Sequence, residues 1–320
     1  MSMLKYLLEI IDLLDNPNVD GDSVRKLFIT KGLDKYLTIS IERISSEKGF
    51  TDFVKIIVLG KRGKYNGGDA PTLGIIGRLG GVGARPLIKG LVSDADGAII
   101  ALTVAYKLAE MSMRGDVLDG DVIVTTNICP NAVVTPHRPA PMMSSPVSIF
   151  ELLKREVDPQ MDAVLSIDAT KANLVVKGSG FAITPTVKDG WILKVSDDLI
   201  NIYMWVTGRL PIIVPITMQD LLPFSTPIYH INSIMQPWLY THSPVVGVAT
   251  ITETVVPGSA SYATNINSLD ETSRFVMEIA KGFTAGSVKF YDESEWETII
   301  KLHGEIRPIL TRTTAHLVQR

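Results

Sequence analysis

Residues 71–86 read PTLGIIGRLGGVGARP. The first seven form a short run rich in branched apolar side chains that comes after a polar loop, the signature of a buried strand bounded by turns. A glycine-rich segment carrying Arg78 and Arg85 comes next. A dinucleotide-binding loop would need three glycines in the pattern G-x-G-x-x-G running into a helix. After Gly81 and Gly83 the third position is Pro86, and no helical pattern succeeds it. A phosphate loop would end in Gly-Lys-Ser/Thr, and Arg85-Pro86 does not. Taken alone, the glycines let a strand end and the chain turn sharply.

Reading outward, FVKIIVLG (53–60) forms a second buried strand, joined to the first by the basic, glycine-rich loop KRGKYNGGDA (61–70). On the other side, SDADGAIIALTVAYKLAEMSMRG (93–115) is the clearest helix in the chain. Ser93 or Asp94 is its candidate cap, and Arg114-Gly115 its stop. GDVIVTTNICP (120–130) and DAVLSIDATK (162–171) are apolar strands flanking a proline-rich loop and the short helix SPVSIFELLKREV (145–157). Two helices open the chain, the first with Leu4, Leu7, Leu8, Ile11 and Leu14 at helical spacing and the second over DSVRKLFITKGL (22–33). Further on, FAITPTVKDGWILKVS (181–196) predicts a strand pair turning at Lys188-Asp189-Gly190, and DDLINIYMWVTG (197–208) a helix ending at Gly208. LPIIVPITM (210–218) and PVVGVATITETVV (244–256) are strand candidates. Ser268-x-x-Glu271 has capping-box spacing for a helix over 268–283, and DESEWETIIKLH (292–303) is the last helix. This alternation predicts an α/β three-layer sandwich with a mostly parallel central sheet, as one domain over residues 1–320.

Composition narrows the function. The 320 residues are 46% apolar and 20% charged, with 31 basic and 34 acidic side chains, so a large core is available and no electrostatic footprint for nucleic acid or an anionic membrane exists. Neither a signal peptide nor a membrane span is legible. Cys129 is the sole cysteine, which fits a reducing cytoplasm. A small-molecule or peptide ligand is the expected partner, and apolar loops such as PAPMMSSPV (139–147) suit a homo-oligomer interface as well as they suit core packing.

In order along the chain, these segments resemble the catalytic domain of co-catalytic zinc exopeptidases, the aminoacylase/carboxypeptidase and glutamyl-aminopeptidase-like families. YLLEIIDLLDNPNVDGDSVRKL (6–27) is similar to their paired N-terminal helices. PTLGIIGRLGG (71–81) resembles their strand ending in Gly-His-x-Asp, with Arg78 at the zinc-binding His and Gly80 at the Asp. SDADGAIIALTVAYKL resembles the Asp-x-Lys-Gly that opens a long helix, keeping the metal-bridging Asp as Asp94 and Gly97, with Asp96 in place of Lys. The strand that in those families ends in Glu-Glu ends here in Asn127, Cys129, Pro130 and Asn131, while the next retains its metal-binding acid as Asp168. The last His ligand corresponds to the neighbourhood of Val256 and Pro257. The inserted satellite domain of many relatives is missing. A closer, nearly end-to-end resemblance, carried by TTNICPNAVVTPHRPAPMMSSPV (125–147), SIDATK (166–171), GFAITPTVKDG (180–190) and PVVGVATITETVVPG (244–258), is to the uncharacterised family catalogued as domain of unknown function 1177. It implies no activity.

The resemblance implies a degenerate metal site. A zinc pair brings four positive charges that make a carboxylate cluster tolerable. Here the ligand positions have changed together and a guanidinium stands where zinc was bound. The expectation is that Arg78 replaces the zinc electrostatically and holds Asp94 and Asp168 together through its fork. No cofactor is expected and zinc is disfavoured, although a mononuclear site from Asp94, Asp168 and one of His137, His230 or His242 is chemically open. A second chemistry is nucleophilic, with Cys129 activated by His137 and a carbonyl polarised by Asn127 or Asn131. A lone cysteine is more often a buried apolar group, and a histidine among prolines a packing residue. Lys61, Arg62, Lys64, Arg85 and Lys89 could gather into an anion-attracting rim or be solvated surface. Two readings stay open. One is a hydrolase of small peptides, amides or amino-acid derivatives with catalytic residues Cys129, His137, Asp94 and Asp168, and with Arg78, Asn127, Asn131 and His230 binding ligand. The other is a non-catalytic ligand- or partner-binding module on the same fold.

Overall fold

The computed structural model describes residues 2–78, 91–130, 132–136, 138, 142–223, 231–258 and 264–312. The strands are β1 (Leu37–Ser46), β2 (Gly49–Val58), β3 (Leu73–Gly77), β4 (Val122–Ile128), β5 (Val133–Thr135), β6 (Met142–Ser144), β7 (Ala163–Ala169), β8 (Phe181–Ile183), β9 (Val187–Lys188), β10 (Trp191–Ile192) and β11 (Val245–Thr250). The main sheet runs β1-β2-β4-β3-β7-β11-β9-β10, with β8 on β11. Its centre, β4-β3-β7-β11, is parallel; β1, β2, β8, β9 and β10 join antiparallel at the margins. β5 and β6 form a separate hairpin.

Helices cover both faces, giving three layers around the mostly parallel sheet. One face carries α1 (Met3–Leu14), α3 (Asp96–Met113), α5 (Asp197–Thr207) and α8 (Ile266–Thr284). The other carries α4 (Ile149–Glu156), the one-turn α6 (Met218–Leu221) and α7 (Asn232–Met235), and the 3₁₀ turn Gln236–Tyr240. α2 (Gly21–Thr30) packs on β1 and β2, and α9 (Glu293–His303) and α10 (Arg307–Leu310) close the described chain. No helix among the described residues is long and apolar enough to cross a membrane.

α3 is the central strut. Alanine and branched residues cover it all round, so it is buried between α1, α8 and strands β3, β4 and β7. Its first turn approaches the sheet so closely that neither partner tolerates a side chain. A Cβ on Gly77 would stand 2.5 Å from the Gly97 carbonyl oxygen and 2.8 Å from Ala101 Cβ, and one on Gly97 would meet the Arg78 backbone at 2.7 and 2.8 Å. This seat fixes where the helix start lies relative to the ends of β3 and β7.

Several expectations change. The helix over 93–115 has Ala95 at its cap without a side-chain bond, and Ser93–Ala95 form a 3₁₀ turn, so Ser93 and Asp94 do not cap it. In α1 the buried stripe is Met3, Tyr6, Leu7, Ile10 and Leu14, while Leu4 and Leu8 face solvent. α8 begins earlier than Ser268, with Asn265 accepting from the backbone of Asn267 and Ser268. The segment 210–218 makes a single bridge, Ile213 to Ile183, because Pro211 and Pro215 offer no N–H to a ladder.

Candidate functional site

The four central strands point the same way, so their carboxyl ends share one edge, where open α/β sheets bind ligands. Register aligns them. Gly77 stands opposite Thr126 of β4 and Ile167 of β7, and the Arg78 N–H continues the pairing by donating to the Ile167 carbonyl at 2.8 Å. The next row is therefore Asn127, Arg78, Asp168 and Ala249. Strand alternation turns Gly77, Ile128 and Ile167 toward α3. Asn127, Arg78 and Asp168 then share the opposite face with Ile76, Ile123 and Val164. Three polar side chains thus lie side by side at the end of a buried sheet.

The charges around this row are almost wholly buried. Arg78 is ion-paired to Glu156, the last residue of α4, and the two side chains are 1% and 2% exposed. Glu156 is fixed further by the Thr125 hydroxyl, which donates to its backbone carbonyl at 2.8 Å. On the α3 side, Asp96 Oδ2 accepts from Lys171 Nζ at 2.7 Å and from the Thr250 hydroxyl at 2.7 Å. Asp94 feels the charges of Asp96 and Lys171 and acts in turn on Asp168. The Asp94 N–H donates to the Gly258 carbonyl at 3.2 Å, a Cβ on Gly258 would run into its carboxylate, and the Met143 backbone N–H, from the β5–β6 hairpin, donates to its side chain. The segment after β11 that includes Val256 and Pro257 therefore abuts Asp94.

Both aspartates that the sequence singled out are raised above the ordinary carboxylate range. Burial pushes the Asp94 carboxyl up to about 6, the Asp96 charge adds to this, and Lys171 and the Met143 N–H oppose it. Burial raises Asp168 well above the ordinary carboxylate range and the neighbouring Asp94 charge raises it further, against the Ala169 N–H, which donates to Oδ1 at 2.7 Å, and against Arg78. The Asp94 charge thus opposes ionisation of Asp168. Two like acids in one site share a proton in this way.

The anticipated bridge is replaced by a division of labour. Arg78 does lie close enough to Asp168 to oppose its protonation, but the partner of its guanidinium is Glu156. The cation beside Asp94 and Asp96 is Lys171. Sequence reasoning missed both. Glu156 reads as the polar end of an amphipathic helix, and Lys171 as the residue after a strand; each meets its partner only through the tertiary fold.

Cys129 is buried beyond the end of β4, with Sγ 4.0 Å from the Phe50 carbonyl oxygen, toward β2. Asn127 is in the row, its Nδ2 donating to the Thr51 hydroxyl at 3.1 Å. His137, Asn131 and His230 lie outside the described residues, as do Gly80, Arg85 and Lys89. His242 sits before β11, at the amino edge of the sheet, mostly exposed and bonded to Asp189 at 2.7 Å; it cannot join Asp94 and Asp168 on a metal. The basic rim is likewise dispersed, since Lys64 pairs with Asp162 and Arg62 with Asp69 before β3, also at the amino edge.

The described donors do not fit a metal ion. Among the described residues no three His, Cys, Asp or Glu side chains converge on a point a cation could occupy. Asp96 is committed to Lys171 and Thr250, and Arg78 brings a permanent positive charge to Asp168.

The profile of the family described as protein of unknown function DUF1177 matches residues 42–313. No curated protein matches the sequence. Among solved structures, the bottromycin maturation enzyme BotP in complex with Mn has a similar fold, with a TM-score of 0.50 at 12% identity, covering 86% of this chain and 71% of that one.

Proposed function

We propose, for a chain that belongs to the DUF1177 family, that it is a hydrolase of small peptides, amides or amino-acid derivatives whose degenerate metal site now works through the carboxyl pair Asp94 and Asp168. The observation that carries this is the placement of the pair at the carboxyl edge of the parallel strands, each acid held by backbone and flanked by a buried, already paired cation.

The two acids suit complementary tasks. Asp94, ionised above about pH 6, accepts a proton from a water molecule whose oxygen adds to the carbonyl carbon. Asp168, whose acid form is favoured by burial and by the Asp94 charge, gives its proton to the carbonyl oxygen or to the departing nitrogen. Asp94 then releases its proton to solvent and Asp168 takes one up, which restores both groups. Arg78 and Lys171 keep four buried acids, Asp94, Asp96, Asp168 and Glu156, from repelling one another apart. Cys129 has no part in this scheme, since its thiol is turned toward Phe50.

The test is hydrolysis of dipeptides, N-acyl amino acids and amino-acid amides by protein stripped with a chelator. Turnover that survives stripping and is lost in both Asp168→Asn and Asp94→Asn supports the reading. Activity that returns only with added metal, or that is lost in Cys129→Ala while both aspartate variants stay active, overturns it. Tight binding without turnover favours the non-catalytic module on the same fold.

A further inference from the structure

Two buried polar atoms in the strand-end row have no hydrogen-bond partner among the described residues, Arg78 Nε and Asn127 Oδ1. Both side chains are 1% exposed, and the parallel register of β3 and β4 sets them next to each other on the same face. Neither group is free to turn. The Thr51 hydroxyl has a single hydrogen and donates it to the Ile128 carbonyl at 2.9 Å, so toward Asn127 it can only accept, which identifies the amide end facing it as Nδ2. Oδ1 is thereby turned away from β2. On Arg78, Glu156 takes Nη1 and leaves the Nε–H.

A fixed donor beside a fixed acceptor is complementary to one common functional group. A carboxamide offers a carbonyl oxygen to Nε–H and an N–H to Oδ1. An ester satisfies the donor but has no hydrogen for Oδ1, and a carboxylate sets negative charge against it. We propose that Arg78 Nε–H and Asn127 Oδ1 form the amide-reading element of this site, binding the carbonyl and the N–H of one ligand amide beside Asp168. The assignment names the substrate class of the hydrolase reading and rests on it for the location of the ligand. Because both atoms are enclosed, a ligand lacking the N–H leaves Oδ1 with no hydrogen from protein or ligand, and discrimination is correspondingly strong.

The experiment is ligand binding to the full chain by calorimetry or ligand-observed NMR, using 3-phenylpropionamide, its N,N-dimethyl amide, methyl 3-phenylpropionate and 3-phenylpropionate, none of which carries a second amide. The expected result is that the primary amide binds at least about tenfold more tightly than the other three. In Asn127→Leu the preference collapses to within about twofold, the amide losing affinity and the ester keeping it. Should that variant not fold, the N,N-dimethyl amide on the unaltered chain decides, since it keeps the carbonyl and loses both N–H groups. Equal binding of amide, dimethyl amide and ester, an unchanged preference in a folded Asn127→Leu, or no binding of the primary amide in the millimolar range overturns the inference. An intact amide preference without turnover sinks the hydrolase reading alone. Turnover with no such preference sinks the amide-reading element alone.

Discussion

Glu156 and Arg78 offer a sharp test because the two halves of their ion pair fail in different ways. Both are nearly inaccessible, so Glu156→Gln leaves a buried guanidinium beside an amide, and a guanidinium cannot shed its proton. The expected cost at pH 7 is about 3–5 kcal/mol. Arg78→Met strands a carboxylate instead, and a carboxylate can be neutralised. Burial already holds the Glu156 carboxyl above its ordinary value even with Arg78 present, so without Arg78 the folded chain binds a proton there that the unfolded chain releases. A raised carboxyl contributes stability at low pH that is lost as pH rises toward the folded value. The Arg78→Met deficit should therefore shrink from pH 7 to pH 5 by up to about 2.7 kcal/mol, at ~1.36 kcal/mol per unit over two units. Replacing both, as Arg78→Met with Glu156→Leu, removes the stranded charge and should recover most of the loss at pH 7. Urea unfolding at pH 5 and 7, each variant referred to wild type at the same pH, measures all three. A Glu156→Gln deficit below about 1 kcal/mol, or an Arg78→Met deficit equal at the two pH values, would refute the buried pairing.

Other outcomes rest on single contacts. Gly97→Ala drives a methyl into the Ile167 carbonyl and the Arg78 backbone, so melting temperature should fall by several degrees, read by calorimetry. Gly258→Ala puts a methyl on the Asp94 carboxylate; it should abolish turnover of any substrate found while lowering the melting temperature less than Gly97→Ala does. The Asp94 carboxyl is raised from 3.8 to about 6, so the folded state holds an extra proton between those values. Stability should decline across that window as pH rises, on the order of 3 kcal/mol, and Asp94→Asn should flatten the melting-temperature profile there.

Much of the scaffold is legible in the sequence because buried parallel strands and an all-round apolar helix leave strong local marks. The runs at 73–77, 122–128, 163–169 and 245–250 and the helix after Asp96 all fold as read. β1 is missed because LTISIERISS mixes serines and charges with its isoleucines, which suits a margin strand with most positions exposed and is weak as a core signal. The converse error at 210–218 comes from branched residues whose prolines cannot pair. Within the site, Asp94, Asp168, Arg78 and Asn127 could be found because each borders or ends a recognisable element. Glu156 lies 78 residues beyond Arg78 and Lys171 lies 75 beyond Asp96, and neither pairing has a local spacing rule. Ion pairs of this kind are decided by which elements the fold stacks, and a single sequence carries that information only diffusely.

The contact between Gly77 and Gly97 places main chain against main chain, with no side chain on either partner. The entrance to the long helix is consequently located by atoms that every amino acid possesses. Functional groups around it can be exchanged, acids for amides or an imidazole for a guanidinium, while the platform keeps its dimensions. Such an architecture preserves shape independently of reactivity, which is why a lineage built on it can change its chemistry without first rebuilding its frame.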